Sequence, residues 1–257
     1  MIIRFTIENW MSFRDPVTFS MIATRERQHG ERIPNIPKYK TKLLPIAAVY
    51  GGNASGKTNL FKALDFAREF IVRGSQPDAL IPVEPFLLEA GDRKRPSRFR
   101  FEILVDNEVY DFGFSATREA VLDERLALIT GAREKVLYDR RDGKPHFHKS
   151  LLRKRFLNFA FQGTRDNQLF ITNSVSQKVE TFLPVYNWFK NTLELIAPDS
   201  RFGSFEMFLD EENPLYAVMN EILGQLDTGI SRLAGEELPF ENVPMLKSWQ
   251  EELQEEV

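Results

Sequence analysis

A glycine-rich loop, Gly51 to Thr58, constrains the fold of this chain more than any other stretch. Its sequence is GGNASGKT, which matches the spacing G-x-x-x-x-G-K-T. It is preceded by an apolar run, LLPIAAVY, which predicts a buried strand of a parallel sheet over residues 43–50. It is followed by apolar side chains at every third or fourth position, which predict an amphipathic helix over residues 57–72. Strand, loop and helix in this order form the context in which such a motif binds phosphate.

The loop also has the chemistry of a polyphosphate site. Its glycines allow backbone angles that other residues avoid, so successive N–H groups can turn inward towards an anion. The N-terminus of the following helix adds unpaired N–H groups and a partial positive charge. Lys57 is placed to reach the β- and γ-phosphates, and the Thr58 hydroxyl is placed to bind Mg²⁺. We therefore predict that ATP with Mg²⁺ contacts Gly51, Gly52, Asn53, Ala54, Ser55, Gly56, Lys57, Thr58 and Asn59.

The composition is that of an ordinary globular protein. Of its 257 residues, 42% are hydrophobic and 28% are charged. It contains no cysteine, which excludes both a disulfide framework and a thiolate metal site. No apolar run approaches the ~20 residues that cross a bilayer, and the N-terminal stretch has no signal-peptide cleavage region. We expect a cytoplasmic protein with no membrane partner.

The charges are distributed unevenly along the chain. Residues 93–155 contain 16 Lys and Arg against 10 Asp and Glu, whereas residues 204–257 contain 2 against 13. A basic stretch in the middle is typical of a surface for nucleic acid or for an acidic partner. Solvated faces of β-hairpins would also explain it.

The periodicity of the remaining sequence predicts an interrupted α/β fold. Two strands over residues 3–10 and 16–23 form an opening hairpin. Strands are predicted over 83–88, 97–105, 108–115, 120–129 and 135–140, with turns at Asp106-Asn107 and Asp142-Gly143. A strand is predicted over 167–173, and helices over 176–196, 213–227 and 242–257. Ser176 is expected to cap the first of these helices and Pro184 to kink it.

The stretches FTIENWMSF, Phe19 and IAAVYGGNASGKTNLFKAL resemble the start of SMC/RecF/ABC-type ATPases. They are most similar to the bacterial AAA-type ATPases grouped with OLD-like and abortive-infection proteins, and the likeness continues in NQLFITNSVSQ and in LDTGI. The resemblance implies an α/β P-loop NTPase of the ABC-ATPase head type, with an antiparallel β-meander and a C-terminal helical segment. We expect a nucleotide-binding lobe over residues 1–175, with the meander at about 83–148, and the helical segment over residues 176–257.

The resemblance further implies a homodimer, or a higher homo-oligomer, that closes on ATP, in which each subunit presents a serine to the γ-phosphate held by the other. It implies catalytic roles for Lys57 and for a glutamine that touches Mg²⁺ and the attacking water. Gln177 is the candidate for that glutamine, and Gln168 competes with it. The opening hairpin of the family has the pattern Asn-aromatic-basic-Ser, with the basic residue near the nucleotide. Asn9 and Ser12 match this pattern, but Met11 replaces the basic residue here, which puts its contact with the nucleotide in doubt.

Other motifs implied by the resemblance have no convincing copy in this sequence: the signature loop, the Walker B aspartate with its glutamate, and the switch histidine. The stretch FEMFLDEEN, with Asp210 and Glu211, imitates a Walker B strand, but no signature loop precedes it and Asn213-Pro214 opens a helix directly afterwards. Carboxylates at a helix start explain it. We expect the chain to bind ATP and to hydrolyse it poorly without these motifs. It would then be the N-terminal half of a longer protein, or a short regulatory ATP-binding protein.

Two histidines, His146 and His148, have no third ligand near them in the sequence, so no zinc site is predicted. Three functions remain open. The first is an ATP-dependent switch that controls a separately encoded effector, a nuclease or toxin, in defence against phage. The second is a DNA-repair ATPase of the RecF/SMC type, although the sequence has no sustained heptads for a coiled-coil arm. The third is a scaffold that holds its nucleotide statically.

Overall fold

The computed structural model describes residues 1–24, 30–36, 39, 41–89, 91–131, 133–141, 143–151, 155–197, 200, 210, 212–226 and 229–234. The chain divides into two units, Met1–Leu195 and Ile196–Val257. The functional division after residue 175 stays a prediction.

A seven-stranded antiparallel sheet forms most of the first unit, with the strand order β2-β1-β5-β6-β7-β8-β9. Its strands are β1 (Ile2–Glu8), β2 (Val17–Ser20), β5 (Ser97–Val105), β6 (Glu108–Ala116), β7 (Val121–Thr130), β8 (Arg133–Arg141) and β9 (Lys144–Phe147). A small separate sheet pairs β3 (Asn35–Ile36) with β4 (Thr41–Lys42). The predicted opening hairpin and the core of the meander are therefore confirmed, and β9 extends the meander by one strand that was not predicted.

Alternation of side chains gives this sheet one apolar face. Phe99, Phe101 and Ile103 of β5 are buried, while Arg98, Arg100 and Glu102, which alternate with them, lie on the opposite, more exposed face. The turn into β6 has positive φ at Asp106 (48°) and Asn107 (63°), which is the backbone of a tight hairpin turn. Gly143 also has a positive φ, 69°, but Asp142 of the second predicted turn lies outside the described residues.

The helices of the first unit are α1 (Lys57–Val72), α2 (Arg155–Gln162), α3 (Phe170–Ser176) and α4 (Leu183–Asn187). Short 3₁₀ turns occur at Gly30–Arg32, Asp92–Lys94 and Glu180–Phe182, and a π-helical turn follows α4 at Trp188–Thr192. Helix α1 has the predicted bounds. It packs its aromatic residues on the apolar face of the sheet, where the rings of Phe66 and Phe99 lie 5.1 Å apart and those of Phe70 and Phe114 lie 5.7 Å apart.

The predicted buried strand at residues 43–50 is wrong in this structure. Leu43 is buried and forms an isolated bridge with Ile22, but residues 45–50 are exposed and form no strand. Ile46 is 80% exposed and Tyr50 is 90% exposed. The sheet is antiparallel throughout, and among the described residues no strand lies beside this segment to give it a parallel partner.

The predicted strand at residues 83–88 is also wrong, because its polar groups are engaged by the opening hairpin. The Phe86 N–H donates to Asn9 Oδ1 at 3.1 Å, and the Met11 N–H donates to the Glu84 carbonyl at 2.7 Å. Pro82 and Pro85 lack the N–H that a ladder requires.

The predicted strand at residues 167–173 is wrong because a buried carboxylate starts a helix there. Glu124 accepts hydrogen bonds from the N–H groups of Phe170 (2.5 Å) and Ile171 (2.9 Å), the first two residues of α3. The predicted long helix over 176–196 is broken as well. Ser176 is the last residue of α3 rather than a cap, and Lys178 has φ 64°, which interrupts the helical backbone. Pro184 lies in the first turn of α4 instead of kinking a longer helix.

In the second unit, helix α5 (Pro214–Gln225) confirms the helix predicted from Asn213 onward. The Asn213 side chain accepts from the Leu215 N–H at 3.0 Å, and Pro214 occupies the first turn. The helix predicted over 242–257, most of FEMFLDEEN and part of LDTGI lie outside the described residues.

Candidate functional site

The loop between Gly51 and Gly56 has a backbone that few sequences could adopt. Ala54 and Gly56 have φ values of 62° and 92°, in the left-handed region that favours glycine. Gly56 is the N-terminal cap residue of α1 and provides no side-chain hydrogen bond. The first helical bond of α1 runs from the Leu60 N–H to the Gly56 carbonyl at 3.0 Å. The N–H groups of residues 57–59 precede this bond, so they are available to an anion at the helix start.

Lys57 folds its side chain back over the loop. Its Nζ donates to the carbonyls of Gly51 at 2.7 Å and Gly52 at 2.8 Å, and it lies 3.4 Å from Ser55 Oγ. A Cβ at Gly51 would overlap Ser55 Oγ and lie 3.1 Å from Ser55 Cβ, so a larger residue there would force the Ser55 side chain to move. The loop is exposed, and the ammonium group is therefore held at the helix start while it remains open to a ligand.

The turn of the opening hairpin packs against this helix start. Asn59 Nδ2 donates to Ser12 Oγ at 2.9 Å, and the Asn59 carbonyl accepts from Trp10 Nε1 at 3.2 Å. Ser12 Oγ would also lie 3.1 Å from a Cβ on Gly56, and the Phe13 ring 3.3 Å from it. The structure thus brings together the predicted residues Ser12 and Asn59 beside Gly56.

Asn9 shapes the hairpin turn from inside. It is completely buried and has φ 51°. Its Nδ2 donates to the carbonyls of Asp92 (3.0 Å) and Arg95 (2.8 Å), and its Oδ1 accepts from Phe86. All of these hydrogen bonds join the Asn9 side-chain amide to backbone groups of the protein, so Asn9 holds the hairpin turn in place.

A buried carboxylate ties the same turn to the segment before β5. Asp92 lies 2.6 Å from Arg95 Nη1 and 2.9 Å from Arg14 Nε. The hydrogen bond from Arg95, with a second one from Arg14, holds the pKa of Asp92 below its ordinary value. Sequence reasoning missed this cluster, because Arg14 lies 78 residues from Asp92 and no periodic pattern links the two.

The two candidate glutamines lie around α3. Gln177 follows α3 directly, and its Nε2 donates to Asn173 Oδ1 at 3.3 Å. Gln168 precedes α3 and is buried, and its main-chain carbonyl accepts from Arg140 at 2.7 Å. Among the described residues, neither side chain hydrogen-bonds to the loop at 51–58. Their roles towards Mg²⁺ and water stay predictions, as does the role of Thr58, which is exposed at the start of α1.

The carboxylates and histidines form no evident metal cage in the described part of the chain, where no group of three or more His, Cys, Asp or Glu could hold an ion. His148 Nδ1 lies 2.8 Å from Ser150 Oγ. His146 pairs with Asp139 in the register of β8 and β9.

Six arginines of the basic stretch at residues 93–155 are paired with carboxylates among the described residues. Asp111 binds Arg100 at 2.8 Å and Arg125 at 3.1 Å, and Arg125 also binds Glu134 at 2.5 Å. Further arginines with a carboxylate within 4.0 Å are Arg95, Arg98, Arg140 and Arg141. These pairs compensate part of the positive charge of the stretch.

Comparison with known proteins identifies a family for this arrangement. A family model described as "AAA domain, putative AbiEii toxin, Type IV TA system" matches residues 46–245. The match includes the loop and the helix that follows it. No curated protein matches the chain at a significant level. Among the described residues, no helix is long and apolar enough to span a membrane.

Two glycines of the loop allow a matched test of its backbone. Gly56→Ala should lower the free energy of unfolding by about 1–2 kcal/mol, because an L-residue at φ 92° is strained and its Cβ would press on Ser12 and Phe13. Gly52→Ala is the control, since nothing lies within 4 Å of its Cβ, and we expect a change within about 0.5 kcal/mol. Urea unfolding measures both. Equal effects would contradict the assigned loop backbone.

The Asp92 cluster predicts an acid-sensitive contribution to stability. Because the folded pKa lies below the ordinary 3.8, the ionised cluster stabilises the fold above that value, and this contribution disappears as the pH falls through the folded pKa. Asp92→Asn should therefore be less stable than the parent protein at pH 7 and should lose less on acidification. Urea midpoints at several pH values test this, with exposed Asp65→Asn as control. Parallel pH profiles for Asp92→Asn and the parent would refute it.

Proposed function

Since this chain belongs to the AAA-domain family of AbiEii-type and type IV toxin–antitoxin systems, we propose that it is an ATP-dependent switch that controls a separately encoded effector. The family is one of P-loop ATPases related to abortive-infection systems. The effector would be a nuclease or a toxin, and the process would be defence against phage.

The observation that carries this proposal is the position of Lys57. Its ammonium group lies across the carbonyls of Gly51 and Gly52, at the start of a helix whose first N–H groups have no side-chain cap. A polyphosphate chain fits this arrangement, because it can accept from the backbone N–H groups and from the ammonium group together.

The chain's own groups divide the work of holding the nucleotide. The N–H groups at the start of α1 would bind the phosphate oxygens, and Lys57 would move from the loop carbonyls to the β- and γ-phosphates. The Thr58 hydroxyl would be a ligand of Mg²⁺, which when bound neutralises phosphate charge. The proposed role of Gln177 towards water would require a rearrangement, because α3, which Gln177 follows, is bonded to the last turn of α1 at Ile71, a full helix length from Thr58. Asn53 and Asn59 complete the loop residues facing the ligand.

We propose that ATP also joins two copies of the chain, as in heads of the ABC type. The open position of the loop supports this, because residues 45–55 are exposed and a second copy could cover the phosphates. Each copy would then supply a group to the phosphate site of the other copy. A fold of the ABC-head type and the functional lobe over residues 1–175 belong to the same proposal.

The prediction for nucleotide binding uses two lysines of one helix. Lys57→Ala should weaken binding of Mg-ATP roughly tenfold to a hundredfold, since a charge-assisted hydrogen bond contributes about 1.5–3 kcal/mol. Exposed Lys62→Ala, one turn further along α1, should bind as the parent does. Isothermal titration calorimetry measures both. Unchanged binding by Lys57→Ala would remove the basis of the proposal.

The same variant separates a switch from a static scaffold. For a switch, Lys57→Ala would still assemble with the effector in a pull-down assay but would no longer change the effector's activity. For a scaffold, activity would follow assembly alone.

The alternative function, direct DNA binding by a RecF/SMC-like ATPase, makes a different prediction. Because most arginines on the sheet are paired, we expect only non-specific affinity for duplex DNA, with a Kd of about 10⁻⁴–10⁻⁶ M at physiological salt. Fluorescence anisotropy across a salt series measures this. Tighter binding with a steep salt dependence would favour the DNA-binding function.

A further inference from the structure

Helix α2 exposes two aromatic rings that take no part in the core. On its inner side Leu157 and Ala160 are buried, and Asn173 Nδ2 of α3 donates to the Ala160 carbonyl at 2.7 Å. Phe156 and Phe159 are 50% and 65% exposed. A phenyl ring in water leaves a large apolar area uncovered, so two neighbouring rings form a patch that a ligand can cover.

The two rings form a nearly flat surface. Phe156 and Phe159 are three residues apart, which makes them neighbours on the helix. Their ring centroids lie 6.3 Å apart, and the ring planes are inclined by 27°. A planar ligand can stack on such a surface, and unpaired nucleobases do so whatever their sequence, because every base has a π-face.

The sequence around these rings is basic. Residues 143–164 contain no Asp or Glu and five Lys and Arg, which are Lys144, Lys149, Arg153, Lys154 and Arg155. Lys144 and Lys149 are exposed, and Arg155 is the first residue of α2. Unlike the paired arginines of the sheet, these cations have no carboxylate in their own segment. A run of cations without an acidic residue is typical of a site for a polyanion.

An acidic peptide and a single-stranded nucleic acid both combine negative charge with groups that cover aromatic rings. The lysine content favours the nucleic acid, since lysine is depleted in protein–protein interfaces and supplies three of the five cations. A nucleic-acid strand also repeats a planar base and a phosphate along its length, so one ligand satisfies the rings and the cations together. In a duplex the base faces are already stacked on each other, which favours an unpaired strand.

We propose that α2 and the basic segment before it form a binding site for single-stranded nucleic acid. Bases stack on Phe156 and Phe159, and the phosphates lie along the cations between Lys149 and Arg155. This site uses neither the glycine-rich loop nor the arginines of the sheet, so it does not depend on the proposed function of the loop.

Fluorescence anisotropy tests the site with labelled oligo-dT and oligo-rU of about 12 nucleotides, a length within the range of single-strand sites. We expect the tighter of the two strands to bind at least tenfold more tightly than a duplex of the same length, and it identifies the ligand as DNA or RNA. Phe156→Ala and Phe159→Ala should each weaken binding about fivefold to a hundredfold, the effect of losing one base–aromatic stack. Phe159→Tyr keeps the ring and should bind as the parent does.

A salt series tests the cations separately. Lys149→Ala should lower the slope of log affinity against log salt by about 0.7, because one phosphate contact of a single strand is lost. The controls are Lys62→Ala for an exposed lysine and Leu122→Ala for an exposed apolar side chain, both outside the site. Urea midpoints verify that each variant is folded, and Phe159→Ala, at the more exposed ring, decides if Phe156→Ala is unfolded.

Unchanged single-strand affinity of the phenylalanine variants would overturn the proposal. Equal affinity of the parent for single strand and duplex would also overturn it, because charge alone would then explain binding. Failure to bind either oligonucleotide would overturn it as well, and ring-dependent binding of a labelled peptide of Glu and Leu would then assign the surface to an acidic protein partner. None of these titrations contains ATP, so each of these outcomes leaves the proposed function of the loop standing.

Discussion

The packing of α1 on the apolar face of the antiparallel sheet is the interaction on which the rest of the first unit depends. Phe66 and Phe70 of the helix contact Phe99 and Phe114 of the sheet, and Trp10 stacks on Phe66 with ring centroids 4.9 Å apart. Buried aromatic contacts of this kind stabilise a fold through area and through ring geometry. Because this packing fixes the helix along its length, the N–H groups at its N-terminus keep their position beside the glycine-rich loop.

Both ends of α1 are then tied to other elements. At the N-terminus, Asn59 bonds Ser12 and Trp10 of the hairpin turn. At the C-terminus, the carbonyls of Ile71 and Val72 accept from Thr172 and Tyr186. Helix α1 is thus bonded to the hairpin turn at its N-terminal end and to α3 and α4 at its C-terminal end.

Helix α3 in turn depends on one buried acid. Glu124 is completely buried, and desolvation raises the pKa of its carboxyl despite the opposing influence of Arg140 and of two backbone N–H groups. The hydroxyl of Tyr138 donates to it at 2.8 Å, and the pKa of Tyr138 is raised well above its ordinary value. This explains why residues 170–176 are helical although their Phe-Ile-Thr sequence favours a strand: two N–H groups at the helix start have a partner from β7.

The sequence therefore predicts what local pattern determines. The meander and α1 follow from alternation and from spacing of three and four, and the loop follows from its motif. The strands predicted at 43–50 and 83–88 fail because a strand needs a neighbour, and a single sequence does not say which segment lies alongside. The Asp92 cluster joins residues from distant parts of the chain, so no local signal marks it. The family resemblance pointed to both Ser12 and Asn9, but it did not distinguish their roles. In the structure Ser12 lies at the start of α1, and Asn9 is buried and holds the hairpin turn.

The uncovered segment from Pro45 to Tyr50 has a consequence for handling the protein. Six consecutive side chains, PIAAVY, face solvent directly before the phosphate loop. An unpaired segment with exposed apolar side chains favours association with other proteins. Any partner that covers this segment would also lie next to the glycine-rich loop, so protection of the exposed apolar side chains and access to the loop are linked.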